Sequence, residues 1–258
     1  MILVLGGTKE AGEIIQVLSA QGYKLLATAI SAYGGELAKA SGATEIWVGS
    51  LDDRSLAELI TKKKIKAVID ATHPYATAIT QLASEVCAAT GIKYFRHARP
   101  SSKLDSEPGS LYWVDSYAAG AELAFKLGNV VMTTTGSKNL APFVSAKGPE
   151  QRLVVRVLPE SSSIAECRKL GCQPRDIVAL QGPFSVTLNK ALFQEYGVEV
   201  IVTKESGTTG GVDTKLKAAL EMQLPVVIIR RPQEPVNKIW STAEILKVLK
   251  EEATWRLE

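Results

Sequence analysis

Ile2-Leu3-Val4-Leu5-Gly6-Gly7-Thr8-Lys9-Glu10-Ala11-Gly12 is the stretch on which the reading of this chain turns. Four consecutive apolar residues with no polar alternation read as a strand buried on both faces, and Ile14, Ile15 and Leu18 then fall at helical spacing. Two glycines between these segments let the backbone turn sharply. Such a turn suits a phosphate, because a helix N-terminus offers unpaired N–H groups and about half a positive charge. The match to known fingerprints is partial. G-x-G-x-x-G separates its first two glycines, whereas Gly6 and Gly7 are adjacent and the third glycine arrives only at Gly12. Gly7 to Gly12 has P-loop spacing, yet Glu13 stands where that loop needs lysine. A tight turn without any ligand is the alternative at this point.

Outward from the turn, residues 25–30 form a second apolar run ending at Ser31, before a loop at Gly34 and Gly35. NAD-binding units carry an acidic residue near the end of this strand for the ribose; Ala29, Ile30 and Ser31 occupy that place. A short strand at 46–48 precedes a helix capped by Asp52 or Asp53. Lys62, Lys63, Lys64 and Lys66 read as its solvated end. The strand 67–70 runs into Ala71-Thr72-His73-Pro74-Tyr75-Ala76 ahead of a helix through Leu82, Val86 and Ala89. A polar cluster at a strand's carboxyl end is what a ligand crevice in a parallel sheet shows. His73 is either a general acid or base or an ordinary turn residue. A fifth strand covers 93–96. Residues 98–108, rich in Ser, Pro and charge and without periodicity, read as a linker dividing the chain into domains 1–98 and 99–258.

The second half repeats the alternation. Strands at 130–134, 153–158, 177–181, 200–203 and 226–229 lead into Thr135-Gly136-Ser137-Lys138, Pro159-Glu160-Ser161, Gly182-Pro183-Phe184-Ser185, Lys204-Glu205-Ser206-Gly207 and Arg230-Arg231-Pro232. Helical patterns separate them, so a second parallel sheet wrapped by helices is expected. Together these loops form a ligand-facing rim in which backbone N–H nests and basic side chains suit carboxylates and phosphates. Residues 241–251 read as a helix whose docking partner the pattern does not reveal.

Bulk properties narrow the field. A length of 258 residues favours two domains, and 46% hydrophobic with 22% charged residues is ordinary globular composition. A net charge of +3 is too small for a dedicated nucleic-acid binder. Three cysteines with two histidines indicate neither a disulfide framework nor a metal site. No apolar run approaches a membrane span and the first residues carry no basic n-region, so a cytoplasmic location is expected. None of the seven tyrosines has a lysine four residues on, and neither G-x-S-x-G nor H-E-x-x-H occurs. A cofactor carrying its own reactivity fits a site with so few conventional acids and bases.

Leu3-Val4-Leu5-Gly6-Gly7-Thr8-Lys9-Glu10, Asp70-Ala71-Thr72-His73-Pro74-Tyr75-Ala76, Thr134-Thr135-Gly136, Gly182-Pro183-Phe184-Ser185, Thr203-Lys204-Glu205-Ser206-Gly207 and Arg231-Pro232, taken in order, resemble the precorrin-6A reductases of cobalamin biosynthesis. The resemblance implies two Rossmann-like domains with parallel sheets and an interdomain cleft, and an oxidoreductase that reduces a ring double bond of precorrin-6A or its cobalt counterpart with a hydride from NADH or NADPH. It implies a nucleotide against Gly6, Gly7, Thr8, Lys9 and Glu10, near Ser31 and the turn Thr72, His73, Pro74 and Tyr75. Tetrapyrrole contacts are implied at Thr135, Gly136, Ser137, Lys138, Gly182, Pro183, Phe184, Ser185, Lys204, Ser206, Gly207 and Arg231. His73, Tyr75 and Lys204 are the side chains available as proton donor. Members often carry arginine where Gly12 and Gly35 stand here, which favours NADH over NADPH. Two other readings compete: a cofactor-free tetrapyrrole lyase of the uroporphyrinogen III synthase type, and a non-catalytic nucleotide or tetrapyrrole carrier.

Overall fold

The computed structural model describes residues 1–98, 110–205, 212–233 and 235–252. Two compact units emerge: Met1–Arg99 with Pro232–Glu258, and Pro100–Arg231. The expected linker lies almost wholly outside the described residues. The expected second domain, 99–258, differs from the compact units in its tail, which belongs with the first.

Unit 1 alternates strand and helix: β1 Ile2–Leu5, α1 Lys9–Ala20, β2 Leu25–Ala29, α2 Ala32–Ala40, β3 Glu45–Val48, α3 Asp53–Lys62, β4 Ala67–Asp70, α4 Thr77–Thr90 and β5 Lys93–Arg96. All its strand pairs are parallel, in the order β3-β2-β1-β4-β5. The unbroken apolar run of β1 has a direct cause. Ile2 and Val4 pack with Ile14, Ile15 and Leu18 on one face, while Leu3 and Leu5 pack with Leu56, Leu59 and Ile60 on the other. A strand buried on both faces has no position left for a polar alternate.

The tail returns to this sheet. Ile239 makes a parallel bridge to Arg96, and the Trp240 amide donates to the Arg96 carbonyl at 2.7 Å. Ser241 and Glu244 form a capping box that starts α10, Thr242–Glu251. Ile245 and Leu249 of α10 are completely buried in the core that holds Ile2 and Val4, each contributing roughly 1.5–3 kcal/mol by burial.

Unit 2 contains β6 Leu111–Val114, α5 Tyr117–Leu127, β7 Val130–Thr133, α6 Ala141–Ala146, β8 Arg152–Val157, α7 Ser161–Lys169, a 3₁₀ turn at Pro174–Asp176, β9 Ile177–Ala179, α8 Val186–Glu195, β10 Val200–Lys204, α9 Val212–Glu221 and β11 Val226–Ile229. Its sheet is also parallel, ordered β6-β11-β10-β7-β8-β9. Strand β6 is an addition to the sequence expectations; it is a half-buried edge strand whose four residues carry no clean periodicity. Both units are Rossmann-like α/β folds. Each sheet reverses its winding once, between β1 and β4 in unit 1 and between β7 and β10 in unit 2. Crevices beyond such switch points are where open parallel sheets hold ligands.

Candidate functional site

At the switch point of unit 1, the loops after β1 and β4 are tied together. The Thr8 hydroxyl caps α1 by accepting from the Ala11 amide at 3.1 Å, and donates to the Ala71 carbonyl at 2.8 Å. Gly6 is forced to be glycine, because a Cβ there would lie 2.7 Å from the Thr28 carbonyl oxygen. Gly7 has φ +103°, a conformation that side chains resist, yet a Cβ on it would meet no atom of the protein. Its exposed face is therefore open to a ligand. Lys9 lies on the surface 3.5 Å from Glu13, and Glu10 sits in the first turn of α1. Ser31 caps α2, accepting from the Gly34 amide at 3.1 Å. A cavity of about 560 Å³ runs from this turn along α1 and α2, bounded by Gly6, Gly7, Gly12, Gly34, Leu37 and Ser41 among others. That volume is ordinary for a cofactor pocket.

The turn after β4 rests on a closed polar cluster. Asp70 and Arg96, 0% and 1% exposed, form an ion pair at 3.2 Å. The Thr72 hydroxyl and amide both donate to the Asp70 carboxylate, at 2.6 and 3.0 Å, and the Tyr94 hydroxyl donates to its other oxygen at 2.8 Å. Arg96 also donates to the Thr72 carbonyl at 3.0 Å. Burial, and then the Asp70 charge, push the Tyr94 phenol up, so it remains a neutral donor. Above this base the Tyr75 amide donates to Nδ1 of His73 at 3.3 Å, which in the neutral ring leaves the proton on Nε2. The His73 and Tyr75 rings lie 5.5 Å apart, and Pro74 between them is buried.

Unit 2 builds a different pocket, of about 250 Å³, at its own switch point. Of the sequence candidates it gathers Thr135, Gly136, Gly182, Pro183, Phe184 and Lys204. Ser137, Lys138, Ser185 and Arg231 are not among its lining; Ser185 instead caps α8, and the Arg231 amide donates to the Glu205 carboxylate at 3.0 Å. Ser206 and Gly207 lie outside the described residues.

The pocket's strongest groups are ones the sequence reading passed over. Arg156, the penultimate residue of β8, donates to the Asn189 side-chain oxygen at 2.8 Å and stacks 5.0 Å from the Phe184 ring centroid. Burial pushes its guanidinium down to about 10, so it keeps its charge at neutral pH. Lys215, on the inner face of α9 and 5% exposed, places Nζ 3.0 Å from the hydroxyls of both Thr134 and Thr203. Burial, then repulsion from Arg156 and Lys204, hold its pKa well below the ordinary lysine value. Lys204 is lowered by burial as well. The Thr135 hydroxyl is buried with no hydrogen-bond partner among the described residues. Among the described residues, neither Arg156 nor Lys215 touches a carboxylate. Leu158 and Leu180 give the pocket an exposed apolar rim.

Signals for these residues existed. An arginine inside Leu153-Val154-Val155-Arg156-Val157 interrupts a run expected to be buried on both faces. Lys215 shares helical spacing with the buried Ala218 and Ala219. Among the described residues, no cluster of His, Cys, Asp and Glu could hold a metal ion, and no helix is long and apolar enough to cross a membrane. The three cysteines are free and buried.

Comparison with known proteins adds a family to this two-sheet architecture. The profile described as precorrin-6x reductase CbiJ/CobK matches residues 1–250. The chain is 39% identical over 236 residues to the cobalt-precorrin-6A reductase of Methanothermobacter thermautotrophicus, covering 90% of this chain and 76% of the relative. It is 36% identical to that of Priestia megaterium, covering 95% of both chains, and 30% identical to the precorrin-6A reductase of Rhodococcus erythropolis, covering 91% and 90%. The solved structure of CobK precorrin-6A reductase superposes with a TM-score of 0.79 at 26% identity, covering 100% of this chain and 99% of that one. These relatives are reductases, which sets aside the lyase and carrier readings. By the length of the profile match and the two-sheet architecture alike, this chain belongs to the precorrin-6x reductase family, CbiJ/CobK.

Proposed function

We propose that the protein reduces a ring double bond of cobalt-precorrin-6A, taking the hydride from NADH. The carrying observation is the pair of buried basic groups, Arg156 and Lys215, whose side-chain hydrogen-bond partners among the described residues are all neutral. A corrin precursor is an apolar macrocycle fringed with carboxylates, and these basic groups with the buried Thr135 hydroxyl supply what a carboxylate needs. At about 250 Å³ the pocket takes the fringe rather than the macrocycle, which the exposed Leu158 and Leu180 suit. The cobalt form is favoured because the relatives at 39% and 36% identity act on it, against 30% for the relative named for the cobalt-free compound.

The turn Gly6, Gly7, Thr8 would hold the pyrophosphate, with Lys9 and Glu10 at the start of its helix. Ser31 and the exposed Ile30, Tyr33 and Val48 offer a polar edge and apolar surface to the adenosine end. Thr72, His73, Pro74 and Tyr75, fixed from below by Asp70 and Arg96, would border the other end. A bound nicotinamide supplies the hydride; the chain's task is to position it and exclude water. Lys204 is the favoured proton donor, since burial lowers its pKa and it lines the substrate pocket; His73 and Tyr75 belong to the nucleotide-side turn. NADH is favoured because Lys9, the one cation lining the unit 1 cavity among the described residues, faces Glu13. A 2′-phosphate there lacks the arginine that usually receives it.

The test is anaerobic turnover. Adding cobalt-precorrin-6A should consume NADH absorbance and yield a product heavier by two hydrogens. No consumption with either nucleotide sinks the reading. Tighter binding of NADPH than NADH sinks the cofactor choice alone.

A further inference from the structure

We propose that Lys215 is an uncharged amine in the substrate-free protein and takes up a proton from solvent as a substrate carboxylate enters the pocket, making binding proton-coupled. This rests on the assignment of the unit 2 pocket to substrate carboxylates.

Hydrogen-bond bookkeeping carries the argument. The Thr134 hydroxyl donates to the Val202 carbonyl at 3.1 Å, so its oxygen accepts from Lys215 Nζ at 3.0 Å. The Thr203 hydroxyl is 1% exposed, and its one hydrogen-bond partner among the described residues is the same Nζ, also at 3.0 Å. An ammonium has three donors and no acceptor, so it would leave the Thr203 hydrogen buried without a partner. A neutral amine has a lone pair for that hydrogen. Thr203 then donates to Nζ, Nζ to Thr134, and Thr134 to Val202, and each hydroxyl hydrogen is used. The heavy-atom distances allow this direction as readily as the reverse.

The surrounding charges point the same way. Arg156 from β8 and Lys204 from β10 face Lys215 as cations, Thr134 and Thr203 are neutral, and Asn189 from α8 is engaged with Arg156. A buried ammonium with no counter-ion among the described residues and two other positive groups beside it is strongly disfavoured, and the depressed pKa of Lys215 follows. An incoming carboxylate reverses the balance. The amine gains one proton from solvent, one N–H bond forms, and the carboxylate keeps its charge as the new counter-ion. An amide in the same place neither draws the proton nor forms the ion pair, so the device distinguishes an acid from its amide.

The experiment is calorimetric binding of cobalt-precorrin-6A without nucleotide, in buffers of different protonation enthalpy at about pH 8, where carboxylates are ionised and ordinary lysines charged. Wild-type protein should take up about one proton per molecule bound, and Lys215→Met about none. Wild-type binding without uptake overturns the proposal and leaves the pocket assignment standing, as does unchanged uptake in Lys215→Met. Wild-type affinity in both Arg156→Met and Lys215→Met instead overturns the pocket assignment itself. A buried substitution can misfold, so the side-chain nitrogen resonance of labelled lysine in wild-type protein gives an independent reading. A neutral-amine signal that becomes an ammonium signal on adding substrate supports the proposal; an ammonium signal throughout overturns it.

Discussion

The two units bury arginine in opposite ways. Arg96 meets a buried carboxylate and a ring of hydrogen bonds, while Arg156 meets a carboxamide and an aromatic face. A charge neutralised within the protein fixes the backbone around it, here the turn carrying His73 and Tyr75. A charge left without a counter-ion keeps its field for something that arrives. Buried cations thus serve as framework in one sheet and as receptor in the other, and the presence of a carboxylate partner separates the two.

Substitution should split the pair cleanly. Arg96→Met strands the Asp70 carboxylate in the core and should cost about 3–5 kcal/mol of stability in denaturant unfolding. Arg156→Met removes a buried charge that no carboxylate among the described residues balances, so stability should hold or rise. Its cost should appear as about 1.5–3 kcal/mol of lost substrate affinity by titration, the worth of a hydrogen bond to a charged group. Equal destabilisation by both changes would break the comparison.

Smaller effects sharpen it. Gly7→Val should cost about 1–2 kcal/mol in backbone strain, read from the melting temperature. Because its side chain would point into space free of protein atoms, nucleotide affinity should fall beyond what strain explains. For Lys215, whose folded pKa is lowered, the unfolded chain binds the extra proton between the folded and the ordinary lysine value. Stability should therefore rise with pH across that window by up to about 1.4 kcal/mol per pH unit. Lys215→Met should flatten the slope in chemical denaturation series run at successive pH values.

The legibility of the two sites in the sequence follows from the same contrast. Gly6, Gly7 and Thr8 act through their own backbone and the next turn of helix, so their meaning is local and a short window shows it. The cationic pocket draws Thr135, Arg156, Phe184, Lys204 and Lys215 from separate loops, strands and a helix. Only the sheet order brings them together. Loop residues such as Thr135 and Phe184 were visible because strand ends announce themselves, whereas Arg156 and Lys215 sit inside regular elements where a charged residue ordinarily faces water. Both sheets were readable from apolar runs separated by helical periods. Strand β6 was not, being half-buried and only four residues long. The placement of α10 lay beyond any local signal, since an amphipathic face does not by itself name the surface that covers it.

That placement governs how the molecule is made. Ile245 and Leu249 share a core with Ile2 and Val4, yet the ribosome delivers them only after the whole of unit 2. Unit 2 is one continuous segment and can close as soon as Ile229 has emerged, bringing β11 between β6 and β10. Unit 1, begun first, finishes last, holding apolar surface on its α1 side throughout elongation. Vectorial synthesis thus inverts the order of the sequence here: the unit that starts first is the one that closes last.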